Sequence, residues 1–236
     1  MVISFQLPAR EDLFEDTTPS PLEAMSPALD DLSLRFAMHA GQTNGTCLDV
    51  GCGTGLATAA ALARGGHVVA VDPDSIACRE LLARVPVEQY ARLTVRTSGL
   101  QPLDFMAPRF SAVHAARVLH NLGGQELRAS VAKFFRWLYP HGRLYVSAFT
   151  PFGSFWKRFQ PEYSRRVRLG SEWPGYMSDV ARLQATGTRK VCHLLDENVL
   201  RRELCGAGFV IEHISRYALP WEPAQICCGI VARCSS

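Results

Sequence analysis

The sequence predicts an α/β fold built on a mostly parallel sheet flanked by helices. Three observations predict it. Short β-branched runs such as His67 to Val71 alternate with helical stretches at βαβ spacing. A glycine-rich turn from Gly51 to Gly55 joins the first of those runs to a helix. An acidic residue, Asp72, closes the next run about twenty residues further on.

The elements follow in order. Residues 1 to about 20 are acidic and broken by Pro8 and Pro19, with Pro21 just beyond, as in a loosely held arm. Apolar spacing through Met25, Leu29, Leu32, Phe36 and Met38 predicts one or two short helices ending near Ala40. A strand is expected over Thr46 to Val50, then a helix from Leu56 to Arg64 that Gly65-Gly66 stops. His67 to Val71 is the second strand. Asp74 or Ser75 caps a helix to Arg84. Strands over Arg92 to Arg96 and Phe110 to Ala115 come next, then a helix over Glu126 to Leu138, a turn at Pro140-His141-Gly142 and a fifth strand over Arg143 to Phe149. The alternation breaks over residues 150 to about 190, which are aromatic, basic and turn-rich. A helix over Glu197 to Ala207 and strands over Phe209 to Tyr217 and Ile226 to Ala232 complete the chain. Residues 1–45 therefore read as an arm and helical cap, and 46–236 as the main domain carrying an insertion.

Composition narrows the function classes. Hydrophobic residues make up 47% and charged residues 20%, which is ordinary for a globular chain and excludes disorder as the dominant state. The formal net charge of +3 does not by itself argue for nucleic acid. Charge is unevenly placed: acids crowd residues 11–31, while Lys157, Arg158, Arg165, Arg166 and Arg168 face only Glu162 in their stretch. The eight cysteines form no C-x-x-C pair, so reduced thiols are expected, with no metal site. No secretory signal is visible, and no apolar run approaches the ~18 residues needed to span a bilayer. A cytoplasmic protein without a membrane partner is the expectation.

The strongest motif is Leu48-Asp49-Val50-Gly51-Cys52-Gly53-Thr54-Gly55. Glycines allow the tight turn and leave bare backbone for a ligand, and the helix N-terminus that follows offers unpaired N–H groups. A dinucleotide fingerprint would place its third glycine one position later, where Leu56 stands. Asp72, ending Val68-Val69-Ala70-Val71-Asp72, can accept from both hydroxyls of a ribose. Together the two elements predict a Rossmann-like site for an adenosine-containing cofactor.

LDVGCGTG, AVDPD, FSAVHAARVLHNL and PHGRLYVS resemble the successive motifs of class I S-adenosylmethionine-dependent methyltransferases, over about residues 46 to 149. The resemblance implies a seven-stranded sheet with a reversed final hairpin. It implies S-adenosylmethionine as cofactor, S-adenosylhomocysteine as product and a small-molecule methyl acceptor as partner, with an O or N atom methylated. Asp49, Gly51, Cys52, Gly53 and Gly55 would line the methionyl part, Asp72 would bind the ribose and Pro73 would pack near the adenine. Relatives often carry an aspartate after the third strand. Here Ser98, Gly99 and Leu100 occupy that stretch, so Ser98 or backbone would replace the contact.

The acceptor is expected beyond the fourth strand, beside Ala116, Arg117 and His120, since ligands lie at the carboxyl ends of such strands. His120 is a candidate general base, or else a helix cap. Arg117 stays protonated, so it would touch the cofactor or hold a substrate anion. The insertion after strand five would serve as a substrate lid. Phe152, Trp156, Tyr163 and Tyr176 there, with Phe36 of the cap, are candidate substrate residues. The alternatives are methylation of RNA or protein, with the basic insertion tracking phosphates, and a cofactor-binding protein without transferase activity.

Overall fold

The first helix begins where its cap can be made. Asp30 accepts from the Ser33 backbone N–H at 2.8 Å and opens α1 (Asp31–Gln42). The computed structural model describes residues 29–107, 109–178, 192–219 and 222–235. The arm, and Met25 with it, lies outside them.

Beyond α1 the parallel strands are β1 (Thr46–Val50), β2 (His67–Asp72), β3 (Leu93–Thr97), β4 (Phe110–Ala116) and β5 (Leu138–Phe149). The connecting helices are α2 (Leu56–Ala63), α3 (Ser75–Arg84) and α4 (Gly124–Trp137). A short helix α5 (Gln160–Arg168) and a two-residue ladder, β6 (Tyr176–Met177) with β7 (Cys192–His193), follow in the insertion. Then α6 (Glu197–Gly206) leads into the hairpin β8 (Phe209–Leu219) and β9 (Glu222–Cys234). The seven-stranded sheet runs β3-β2-β1-β4-β5-β9-β8, and β9 is antiparallel to both neighbours. This is the expected Rossmann-like sheet with its reversed last hairpin.

Alternation along the strands divides the core in two. Leu48, Val50, Val113 and Ala115 face α4 and α6 and pack with Trp137, Phe134 and Leu204. Cys47, Ala112, Ala70 and Val68 face α1 and α2 and pack with Phe36, Ala61 and Leu62. Two polar residues interrupt the second face. Asp49 and His114 stand side by side in register on β1 and β4, both buried.

The turn expected at Pro140-His141-Gly142 lies inside β5. Phe110 pairs with Leu138 and Ala112 with Arg143, so a bulge absorbs the extra residues, and His141 takes φ +65° within it.

Candidate active site

Three glycines shape the loop after β1. Gly51, Gly53 and Gly55 have φ of 65°, 52° and 81°, a region that a side chain makes costly. The Gly51 and Cys52 amides both donate to the Val71 carbonyl, at 2.7 and 3.1 Å, tying the loop to the end of β2. Asp72 holds the loop from below. Its Oδ2 accepts from Gly53 N–H at 2.8 Å and its Oδ1 from Asp74 N–H at 2.9 Å. Each carboxylate oxygen keeps a further lone pair. The Ser98 amide donates to the Asp72 carbonyl at 3.0 Å, which places the end of β3 beside it. Leu100 turns inward and joins the core, while Pro73 is exposed.

Beside the loop lies a cavity of about 350 Å³, within the range of small-molecule sites. Gly51, Cys52 and Thr54 form one wall, Ala116 and Arg117 another, and Asp30 and Ser33 of α1 close it. Asp72 stands outside the cavity, behind the loop. Burial first, and then the charges of Asp49 and Asp72, push the Cys52 thiol up, so it stays protonated.

Two polar chains cross this cavity. In the first, His114 Nδ1 lies 2.7 Å from Asp49 Oδ1, and His114 Nε2 lies 3.1 Å from Ser33 Oγ. Thr58 Oγ1 donates to the other Asp49 oxygen at 2.6 Å. Phe36 stacks on the His114 ring at 4.7 Å and 16°. In the second chain, Asp30 Oδ2 accepts from Arg117 at 2.8 Å and from the Tyr217 hydroxyl at 3.0 Å. Arg117 sits at φ +56°, a strained geometry for a residue with a side chain, and its amide donates to the Ser147 carbonyl at 2.8 Å. The Asp30 pair ties the cap helix to β8 and to the turn after β4.

Burial works against the Asp30 charge, but Arg117 and the Ser33 bonds outweigh it and hold the carboxyl below its ordinary 3.8. A lowered carboxyl contributes stability above the ordinary value, and that contribution is lost as pH falls through the lower folded value. Asp30→Asn is therefore expected to destabilise the chain by about 1–3 kcal/mol at pH 7. The gap to wild type should close as pH drops below 3.8, which urea titrations at several pH values measure. A gap that is constant with pH would refute the role of the charge.

The remaining predicted residues lie elsewhere. His120 is buried, with its ring edge on Phe149 at 4.9 Å, and is not in the cavity wall. Phe36 is fully buried behind His114, so it positions that ring rather than lining the cavity. Trp156 and Tyr163 are 3% and 4% exposed. Trp156 packs with Met177 of the insertion and with Phe149 and Ile226 of the sheet, and the Tyr163 hydroxyl bonds Asp196. Phe152 is half exposed against Tyr163, and Tyr176 meets His193 edge-on. These contacts show an insertion packed on the ends of β5 and β9 and on the cap of α6, because apolar rings gain more from burial than from an open rim. Arg165 and Arg166 are both paired with Glu162, whose carboxyl they hold down to about 2. Residues 179–191 of the expected lid lie outside the described residues. No sequence pattern singled out Ser33, Asp30 or Tyr217. His114 carried a signal, a titratable side chain among the apolar residues of a buried strand.

His193 gives a second pH-dependent expectation. Burial outweighs the bond its Nδ1 donates to the Leu122 carbonyl and pushes the ring from 6.5 down to about 4. The unfolded chain then takes up a proton first, so stability is full above 6.5 and falls as pH drops toward 4. Between pH 7 and pH 4.5 wild type should lose roughly 2–3 kcal/mol more than His193→Gln. Equal losses in urea titrations would rule this out.

Against that geometry, residues 47–142 match a family model described as a methyltransferase domain. A SAM-dependent methyltransferase from Methanosarcina mazei superposes with a TM-score of 0.62 at 21% identity, covering 81% of this chain and 92% of its own. The 1,6-didemethyltoxoflavin-N1-methyltransferase of Burkholderia thailandensis, solved with 1,6-didemethyltoxoflavin and S-adenosylhomocysteine, has a TM-score of 0.63 at 21% identity, covering 88% and 80%. The magnesium protoporphyrin IX methyltransferase of Synechocystis, solved with S-adenosylmethionine, reaches 0.59 at 17% identity, covering 87% and 77%. A comparison with curated proteins finds no match.

The sheet order and the glycine loop are those of a fold that these S-adenosylmethionine-dependent methyltransferases share, and residues 47–142 match a methyltransferase domain. Two of those neighbours hold S-adenosylhomocysteine or S-adenosylmethionine, and the site of this chain can be tested against that cofactor. The residues present fit that cofactor. Bare backbone at Gly51 and Gly53 would face its charged, partly polar tail, and Asp72 retains one accepting site per oxygen that two hydroxyls could use.

Proposed function

We propose that this protein transfers a methyl group from S-adenosylmethionine to an oxygen or nitrogen of a small molecule. The observation that carries this reading is the cavity: about 350 Å³, walled by the glycine loop on one side and closed by α1 on the other. A site closed in this way by α1 suits a small acceptor beside the cofactor, whereas a nucleic acid or a protein side chain on its own backbone needs an open groove. The Burkholderia and Synechocystis enzymes, named for toxoflavin and porphyrin acceptors, support the same class. Among the described residues no helix is long and apolar enough to cross a membrane.

When bound, S-adenosylmethionine supplies an activated methyl group on a positive sulfur, so the protein mainly aligns donor and acceptor. Gly51, Cys52, Gly53 and Gly55 would hold its methionyl part through backbone, beside Asp49, Ala116 and Arg117. Asp72 would take the ribose hydroxyls, with Ser98, Gly99 and Pro73 near the adenine. Isothermal calorimetry with S-adenosylhomocysteine tests the cofactor half: binding at micromolar concentration is expected, and no heat at high micromolar protein would overturn it. Screening small phenols, carboxylates and nitrogen heterocycles for S-adenosylhomocysteine formation tests the acceptor half. Turnover of RNA but of no small molecule would replace it with the alternative.

A further inference from the structure

We propose that the Asp30–Arg117 ion pair reads the amino-acid tail of the cofactor, with the Arg117 guanidinium holding the tail carboxylate and the Asp30 carboxylate accepting from the tail ammonium. This deepens the methyltransferase reading and rests on it. It gives the cap of α1 a part in recognising the cofactor, and it makes that recognition depend on both charges of the tail at once.

The pair is assembled from distant parts of the chain. Asp30 caps α1, Arg117 follows β4, and Tyr217 on β8 braces Asp30. Asp30 and Arg117 both line the cavity beside Gly51 and Cys52, and their side chains are 8% and 18% exposed. Both groups have capacity left. Arg117 uses Nη1 on Asp30 at 2.8 Å, and the other edge of its fork, Nε with Nη2, can take a second carboxylate through two parallel bonds. Asp30 Oδ2 accepts from Arg117 and Tyr217. Its Oδ1 accepts from the Ser33 amide at 2.8 Å and keeps a lone pair for a further N–H. The Arg117 amide is itself fixed on the Ser147 carbonyl, so little ordering is needed when a tail arrives.

Charge decides what such a pair selects. In a partly closed cavity charges act on one another more strongly than in water. A ligand with only a carboxylate gains from Arg117 but lies against Asp30. One with only an ammonium gains from Asp30 but lies against Arg117. An amino-acid tail carries both on one carbon, so each charge can meet its opposite and the four groups alternate in sign. The other charged side chains in the cavity wall are Asp49 and Arg84. Both Asp49 oxygens are already engaged, one by His114 and one by Thr58. Arg84 is exposed and donates its Nε to the Thr54 carbonyl at 2.9 Å, so water weakens its pull on a ligand.

The test is binding, without any acceptor. Isothermal calorimetry on the full chain compares S-adenosylhomocysteine with its analogues lacking the tail carboxylate or the tail amino group, and with methylthioadenosine, which lacks both. Wild type should bind S-adenosylhomocysteine at least about 100-fold more tightly than methylthioadenosine, and about tenfold or more above each single-charge analogue. A single-charge analogue that binds as tightly as S-adenosylhomocysteine overturns the proposal. Arg117→Gln and Asp30→Asn should each weaken S-adenosylhomocysteine about 30-fold and change methylthioadenosine less than about threefold. Asparagine can still cap α1, so Asp30→Asn keeps that helix. Equal weakening of both ligands, or of neither, overturns the assignment. So does a selective loss that appears in Arg84→Gln instead of Arg117→Gln. If Arg117→Gln fails to fold, Arg117→Lys keeps a cation beside Asp30 and carries the arm. It should lose about tenfold for S-adenosylhomocysteine alone, because an ammonium cannot hold two carboxylates in the fork geometry. Wild type that binds neither ligand would sink the methyltransferase reading. Wild type that binds both equally would leave that reading standing and sink this one.

Discussion

Asp72→Ala is expected to reduce affinity for S-adenosylhomocysteine at least about 100-fold. The proposed ribose contacts are two hydrogen bonds to an ionised group, each worth about 1.5–3 kcal/mol, and about 3 kcal/mol corresponds to that factor. The carboxylate also organises the loop it supports, because Gly53 N–H donates to one oxygen and Asp74 N–H to the other. Removing it loosens the backbone that would receive the methionyl tail, so the two effects act in the same direction. Asp72→Asn should fall between wild type and alanine. Its carbonyl can still accept one bond, while its NH₂ group faces donors. Calorimetry across the three proteins measures the series, with circular dichroism confirming that the fold persists. Affinity within threefold of wild type in Asp72→Ala would remove the acid from the site.

Gly55→Ala is expected to lower Tm by roughly 5–15 °C. Gly55 is the N-cap of α2 at φ +81°, where a Cβ costs about 1–2 kcal/mol from the backbone alone. The added atom would also lie 2.9 Å from both Cβ and Cγ of Leu81 and closer still to Cδ1. Leu81 is fully buried, and its Cβ is fixed by α3, so a change of rotamer cannot clear the clash. Overpacking adds about 1–3 kcal/mol. At this chain length each kcal/mol shifts Tm by roughly 2–4 °C. Gly206→Ala is the matched control, because nothing lies within 4 Å of its added Cβ and it sits in the last turn of α6. It should leave Tm unchanged or raise it slightly. A scanning calorimeter that finds Gly55→Ala as mild as Gly206→Ala would show that the loop tolerates a side chain. The glycine would then be dispensable for the turn.

The parts of the site that sequence made legible are those formed by one turn and the strand next to it. Gly51, Gly53, Gly55 and Asp72 announce themselves because a tight turn needs residues without Cβ, and because adjacent parallel strands bring their ends together at fixed spacing. The lid was legible only as composition. Aromatic and basic residues crowded together do not show whether rings face a ligand or one another. In the folded chain Trp156 joins a local core, Tyr163 bonds Asp196, and Glu162 engages Arg165 and Arg166. His120 looked like a base because it follows β4. The short turn there carries it into the interior against Phe149 instead.

The polar chain through Ser33, His114 and Asp49 lies at the far limit of sequence reading. Ser33 and His114 are 81 residues apart and His114 and Asp49 are 65 apart, so no local pattern links them. Sequence by itself determined the α/β architecture, the glycine loop and its acid, since periodicity and backbone freedom are local properties of the chain. Only the tertiary structure decided that α1 lies across β4, that Asp30 clasps Arg117 and Tyr217, and that a serine, a histidine and an aspartate share one wall of the cavity. Those outcomes follow from which apolar faces bury each other, and that packing sets distances between residues the chain itself keeps far apart.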